Sequence, residues 1–322
     1  MCAPAATSSQ QPPAHAGPVV LTHVHDADGH ERTVRGANVR AIRLGQGVGP
    51  NLTATRAGSG FVATWVRAGF PMASRATTSP DRTYAIATID APPGSQWCGH
   101  ALKPGEVLFY GPDVQHTAVN PVGVNFAFAA METQALCEAA DTMKLKPDLP
   151  TSGEVRVLKS GQSGASGALW GRVAALADPN RMPPHADEGS RLLRTTVKTL
   201  TEADTWTPCR SVDSGAVVSA CIDYAEELGR IPSIQELCAV TFVCRRKLWS
   251  AFDECYGSSP ARFLRLWGLA RARTRLRQAS PGTLTVLEVA SDLGFHHAGR
   301  FASGYRQHFG ESPSQTLRAG RP

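Results

Sequence analysis

Five residues within six positions carry side chains suited to a nucleic acid: Arg245, Arg246, Lys247, Trp249 and Ser250. A guanidinium can pair bidentately with guanine, and an indole offers apolar contact to a thymine methyl. Flanking Arg and Lys suit phosphate oxygens. Read at helical spacing, Leu248, Ala251, Phe252 and Cys255 form one apolar stripe. Arg246, Trp249, Ser250 and Asp253 fall on the opposite face. Arg246, Trp249 and Ser250 thus share an outward face, and Arg245 and Lys247 flank it and fit phosphates. A second group follows: His296, His297, Arg300, Ser303 and Arg306, on a segment whose buried stripe is Phe301, Tyr305 and Phe309. Its outward positions include Gly299 and Ala302, which have no reach. The second segment is expected to read bases more weakly, through the His pair, Ser303 and Arg300. The two His residues also fit a helix cap and a packing residue.

These side chains need helices to present them, and the helix punctuation is sharp. Ser233 and Glu236, and again Thr285 and Glu288, have capping-box spacing. Ser259-Pro260 is an N-cap followed by proline at the first helical position. The helix it opens is predicted to run to about Gln278. Gly229, Gly257 and Gly310 are the stops. The two segments are one pattern written twice. Glu236 matches Glu288, Leu248 matches Phe301, Phe252 matches Tyr305 and Tyr256 matches Phe309. Gly257-Ser258-Ser259-Pro260 matches Gly310-Glu311-Ser312-Pro313. A repeated short helix, turn and second helix is a tandem helix-turn-helix. The connecting helix would be about 28 Å long. That is the right order to set two reading helices in successive major grooves, roughly 34 Å apart.

At this point the sequence resembles the AraC/XylS family of bacterial transcription regulators, from Val217 to the neighbourhood of Leu317. The most specific stretch is Ala290-Ser291-Asp292-Leu293-Gly294-Phe295, then Arg300-Phe301, Tyr305 and Phe309-Gly310-Glu311-Ser312-Pro313. Phe295 to Phe301 is similar to the branch that contains ethanolamine-operon regulators. One departure stands out. Where the family's first reading helix opens with Val-Ser, this chain has Val243-Cys244, and a thiol caps poorly. The resemblance implies a sequence-specific DNA-binding regulator, an activator, controlled by a small-molecule effector or by dimerisation through a cupin-like front domain. Double-stranded promoter DNA, an effector, RNA polymerase and a second copy of the chain are the implied partners, in a cytoplasmic protein.

The front of the chain is compatible with that. From Val19 to Phe128 it is rich in Val, Thr, Gly and Pro, with short runs Phe61–Val66, Tyr84–Ile89, Glu106–Tyr110 and Val122–Phe128. That spacing suggests an all-β sandwich or barrel. Trp97, Cys98, Phe109, Tyr110 and His116 are candidates to line an effector pocket. Gly105, Pro112, His116 and Asn120 partly resemble the second cupin motif, although the Gly before the His is missing. His23-Val-His25 sits in a charged stretch from Asp26 to Glu31 and reads as surface. A cupin-type metalloenzyme with a helical appendage is the competing reading; the expectation is no metal, no cofactor and no catalysis. Gly45-Gln-Gly47-Val-Gly49 has the wrong spacing for a dinucleotide loop.

The resulting expectation is an α+β chain in four parts. Residues 1–18 are a disordered tail, 19–130 a β-rich effector or dimerisation domain, 131–215 a mostly helical connector, and 216–322 a DNA-binding domain with units at about 234–257 and 286–310. Met131 to Lys146 reads as the connector's first helix, with further helices at Leu169–Leu176 and Ser190–Glu202. Charge supports the division. Residues 216–322 hold 14 basic and 9 acidic side chains, a net of +5, out of +6 for the 322-residue chain. A basic domain on a near-neutral one fits phosphate binding. The longest apolar run, Val122 to Met131, is too short to span a membrane and contains Asn125. Eight cysteines without a Cys-x-x-Cys pair read as reduced, mostly buried thiols.

Overall fold

A computed structural model describes residues 18–34, 37–158, 164–180, 187–202, 207–208, 212–280 and 282–319. The tail expected over 1–18 lies almost wholly outside the described residues. Two antiparallel sheets build the front of the molecule. The larger runs β1 (Val20–Val24), β3 (Asn51–Gly58), β4 (Phe61–Arg67), β11 (Asn125–Glu132), β6 (Arg82–Asp90), β9 (Val107–Tyr110), β12 (Val155–Leu158) and β13 (Thr207–Pro208) in spatial order. The smaller runs β2 (Ala37–Arg43), β5 (Met72–Thr78), β10 (Gln115–Asn120), β7 (Gln96–Trp97) and β8 (His100–Ala101).

The central strand β11 explains the long apolar run. Its side chains alternate between two cores. Ala127, Ala129 and Met131 join one cluster, and Phe126, Phe128 and Ala130 the other. A strand buried on both faces needs no polar alternation. The first cluster is closed by α2 (Thr133–Met143), α3 (Gly164–Leu176) and α4 (Glu188–Glu202), through Leu136, Leu169, Val173, Leu192 and Val197. The second fills the space between the two sheets, around Tyr84, Trp97, Leu108 and Tyr110.

Two expectations are corrected here. The helix expected from Met131 starts at Thr133, because Met131 pairs with Phe61 and Thr83 on either side and stays in the sheet. The connector carries three helices, as a mostly helical stretch would, and adds two short strands that were not expected. Residues 155–158 pair with β9, and Thr207–Pro208 pairs with β12. Their cue is weak, since Val155-Arg156-Val157-Leu158 is a short run in a Ser- and Gly-rich stretch. Arg156 is buried there and bonds the carboxylates of Asp148 (2.7 Å) and Glu154 (2.6 Å). That pairing holds the Glu154 carboxyl near about 2.

The rest is helical: α5 (Val212–Leu228), α6 (Ile234–Thr241), α7 (Arg245–Tyr256), α8 (Pro260–Gln278), α9 (Val286–Asp292), α10 (Ala298–Phe309) and α11 (Pro313–Ala319). The rod α8 belongs to two cores. Phe263, Leu264 and Trp267 pack with α5 and α7, whereas Leu269, Ala272 and Leu276 pack with α9 and α10. The helical part also docks on the smaller sheet. Arg75 pairs with Asp223 (2.6 Å) and Glu226, Gln46 donates to the Gln307 carbonyl (2.9 Å), and Arg277 pairs with Asp26. The buried His308 Nε2 bonds the Arg43 carbonyl (2.9 Å), and burial pulls its pKa down to about 4. No described helix is long and apolar enough to cross a membrane. All six described cysteines are free thiols; Cys98, Cys221 and Cys255 are buried, whereas Cys137 and Cys244 are exposed.

Candidate nucleic-acid interface

Both capping boxes form. Ser233 accepts from the Glu236 N–H while Glu236 accepts from the Ser233 N–H, and Thr285 and Glu288 do the same. Arg230 adds a bond to Glu236 (2.6 Å), and together these hold the Glu236 carboxyl near about 2. α8 starts as expected, with Ser259 as N-cap and Pro260 in its first turn. The two reading helices differ from these. Cys244 and His297 stand at the N-caps of α7 and α10, and neither side chain caps. First-turn N–H groups are left without a side-chain acceptor.

In α7 the buried stripe is as the helical phase requires: Leu248, Ala251, Phe252 and Cys255 are fully buried. Arg245, Arg246, Lys247, Ser250 and Asp253 are exposed. Two details alter the face. Trp249 is half-buried against the core, and the Arg245 guanidinium lies 4.7 Å from its ring centroid. Ser250 donates to Glu254 (2.8 Å), which also accepts from Ser214 (2.6 Å). Arg246 and Lys247 make no hydrogen bond or ion pair among the described residues. The unencumbered reach of this face is theirs.

In α10, Phe301 and Tyr305 are buried, and the Tyr305 hydroxyl donates to Thr316 (2.9 Å). Phe309, expected to be buried, is half-buried, with the Arg273 guanidinium 4.6 Å over its ring. His296, His297, Arg300, Ser303 and Arg306 are all exposed and unpaired among the described residues. The His pair neither caps the helix nor packs into the core. The tight turn before each reading helix holds a left-handed residue, Phe242 (φ 54°) in the first unit and Gly294 (φ 86°) in the second. Only glycine adopts that conformation without strain. Phe242 is also 95% exposed, which no periodicity in the sequence signals.

The second candidate set lies between the sheets. Trp97, Tyr110 and His116 line one apolar cavity of about 60 Å³. Phe109 does not. It is the strand neighbour of Tyr110, so it points to the other face, under the helices. His116 is stacked against Trp97 (6.1 Å) and lies 4.7 Å from the Tyr110 ring. Cys98 sits beside the Tyr110 hydroxyl at 3.9 Å. Asn120 accepts from the Trp97 indole (2.9 Å). The sequence reading missed His30. The stretch read as surface is a helix, α1 (Ala27–Thr33), whose Ala27 and His30 are buried. His23 and His25 are exposed as expected. Among the described residues no group of three or more His, Cys, Asp or Glu is placed to hold a metal.

Comparison with known proteins follows the same line as the geometry. A family profile described as a helix-turn-helix domain matches residues 237–319. The chain is 39% identical over 93 residues to the XylDLEGF operon transcriptional activator 1 of Pseudomonas putida, which covers 29% of this chain and 28% of that protein. The helix-turn-helix part of the chain is similar to that of AraC/XylS-type transcription regulators. A further relative, the HTH-type transcriptional regulator GbdR of Pseudomonas aeruginosa, is 36% identical over 89 residues, 28% of this chain and 23% of its own length. A solved structure, of a probable AraC family transcriptional regulator from Rhodopseudomonas palustris, is 36% identical and covers 33% of this chain and 99% of its own, with a TM-score of 0.30. The chain spans under a third of the length of the first of these curated relatives, and the shared part is the tandem helix-turn-helix.

Proposed function

We propose that this chain is a sequence-specific DNA-binding transcription regulator, an activator, that reads base edges mainly with α7. The observation that carries the proposal is the pair of exposed, unpaired faces: Arg246 and Lys247 on α7, Arg300 and Arg306 on α10, joined by a 19-residue rod. A rod of about 28 Å suits two reading helices that enter successive major grooves on one side of the duplex. Arg246 would contact a base and Lys247 a phosphate, and Arg300 would reach a base from the start of α10. Trp249 would present its exposed edge, with Arg245 held above it. Ser250, His296, His297, Ser303 and Arg306 complete the contact set.

The role of activator draws on the likeness to the Pseudomonas putida transcriptional activator. RNA polymerase and a second copy of this chain are proposed as protein partners, and the cytoplasm as the place of work. The cavity between the sheets, lined by Trp97, Tyr110 and His116, is proposed as the effector site. A ligand there would act by binding one arrangement of the docked helical part better than another.

Mobility-shift titration of the full chain at two salt concentrations tests the proposal. Each phosphate neutralised should steepen the fall of log affinity with log salt by roughly 0.9. Affinity independent of salt, or equal affinity for every sequence at all salt concentrations, would overturn it.

A further inference from the structure

We propose that the cavity between the two sheets takes a small neutral hydroxyl-bearing molecule, a short alcohol or a phenol, whose hydroxyl bonds to His30 and His116. The inference rests on the effector reading above and names the ligand's chemistry.

The walls set its size and polarity. The space is about 60 Å³, and a water-sized probe needs roughly 10–15 Å³, so room exists for roughly half a dozen non-hydrogen atoms. Sugars, nucleotides and long acyl chains are too large. Tyr84, Ile86, Trp97, Tyr110, Phe126 and Phe128 make the lining largely apolar and aromatic.

Most polar groups of the lining are already paired. Thr78 donates to the Gly111 carbonyl (2.9 Å) and accepts from the Val114 N–H (2.7 Å). Tyr84 accepts from the Ser79 N–H (3.0 Å), and the Trp97 indole donates to Asn120 (2.9 Å). Two groups differ. The Nδ1 atoms of His30 and His116 are buried without a hydrogen-bond partner, and both residues line this one space. His30 is only 4% exposed. Buried polar atoms are seldom left unpaired, so two on residues of one lining point to a polar ligand group that reaches them.

Charge chooses among the possible partners. Among the described residues of the lining there is no Lys, Arg, Asp or Glu. Burial holds both imidazoles near a pKa of about 4, so they are neutral at pH 7. A carboxylate or ammonium would be buried without a counter-charge. A hydrocarbon would leave both nitrogens unpaired. A hydroxyl both donates and accepts, so it suits an imidazole nitrogen in either tautomer.

The test uses the full chain labelled with ¹⁵N-histidine and five probes: phenol, 1-butanol, toluene, butyrate and butylammonium. Phenol and 1-butanol should shift the ring signals of His30 and His116 and raise the melting temperature. Phenol should bind about tenfold more tightly than toluene, which has nearly its shape. His30→Leu and His116→Leu should each weaken phenol several-fold and leave toluene unchanged. Toluene binding as tightly as phenol, or butyrate or butylammonium binding more tightly, would overturn the hydroxyl assignment while leaving the cavity as an effector site. No shift at either histidine with any probe would remove the cavity reading itself. Should a variant fail to fold, the phenol–toluene comparison on the unaltered chain still decides.

Discussion

Leu248 and Phe301 occupy equivalent positions in the two helix-turn-helix units, and both are buried. Two residues earlier, Arg246 stands where the second unit has Gly299. One residue later, Trp249 stands where it has Ala302. Lys247 and Arg300 keep a positive charge at the same place. The inward stripe is thus shared and the outward face is not. Close packing favours similar residues at the buried positions of a repeated motif, with Cys255 and His308 the exception. Reading a base requires reach, and here only the first unit has it on the middle of its helix.

The largest effects should appear where the units agree. Leu248→Ala and Phe301→Ala each remove a buried side chain and should each cost about 2–5 kcal/mol in chemical denaturation. A cost confined to one of them would break the claim of a shared core. Next come the buried positions where they disagree: Cys255 in the first unit, His308 in the second. The His308 pKa is pulled from 6.5 to about 4 by burial. Above pH 6.5 the ring is neutral folded and unfolded, and stability is complete. Between 6.5 and 4 the unfolded chain takes up a proton that the folded chain refuses, so stability falls, by on the order of 2 kcal/mol. His308→Gln should flatten part of the melting-temperature profile over that window. The remaining slope belongs to His30 and His116, which are shifted the same way, and toward pH 4 to Glu154 and Glu236, whose lowered pKa values add to it. An unchanged profile would contradict the buried placement.

Smaller effects separate the two turns. Cys244→Ser gives α7 the hydroxyl cap it lacks and should stabilise the chain by about 1 kcal/mol. Phe242→Gly relieves a left-handed phenylalanine and should gain about 0.5–1 kcal/mol after glycine's entropy cost. Thermal melts of the two variants check both. A loss of stability at Phe242→Gly would mean that the exposed ring has a partner in the folded chain.

The helical domain was legible in the sequence because its boundaries are local signals. Ser233, Ser259-Pro260, Thr285, Gly257 and Gly310 each act within a turn of where they stand. What was not legible depends on residues far apart. Strand β12 exists because Val155–Leu158 meets Tyr110–Val107, which no window around residue 155 contains. Phe109 was grouped with Tyr110 by adjacency, and strand alternation sends it elsewhere. His30 lay hidden in a charged stretch because one helical turn buries it while exposing its neighbours. Helical phase assigned the outward face, and the family resemblance implied Arg246, Trp249 and Ser250 as its base-facing positions; neither can see Arg245 stacked on Trp249 or Ser250 bound to Glu254.

The central claim is that α7 is the principal reader and α10 the supporting one. Binding-site selection on the unaltered chain, Arg246→Ala and Arg306→Ala tests it directly. The expected result is two half-contacts about one helical turn apart, with the stronger sequence preference in one. Arg246→Ala should lose about 1–3 kcal/mol and relax preference at one base pair there, whereas Arg306→Ala should weaken all sequences alike and lower the salt slope by about one. If Arg306→Ala changes the selected sequence while Arg246→Ala leaves it intact, the assignment of the two helices is reversed.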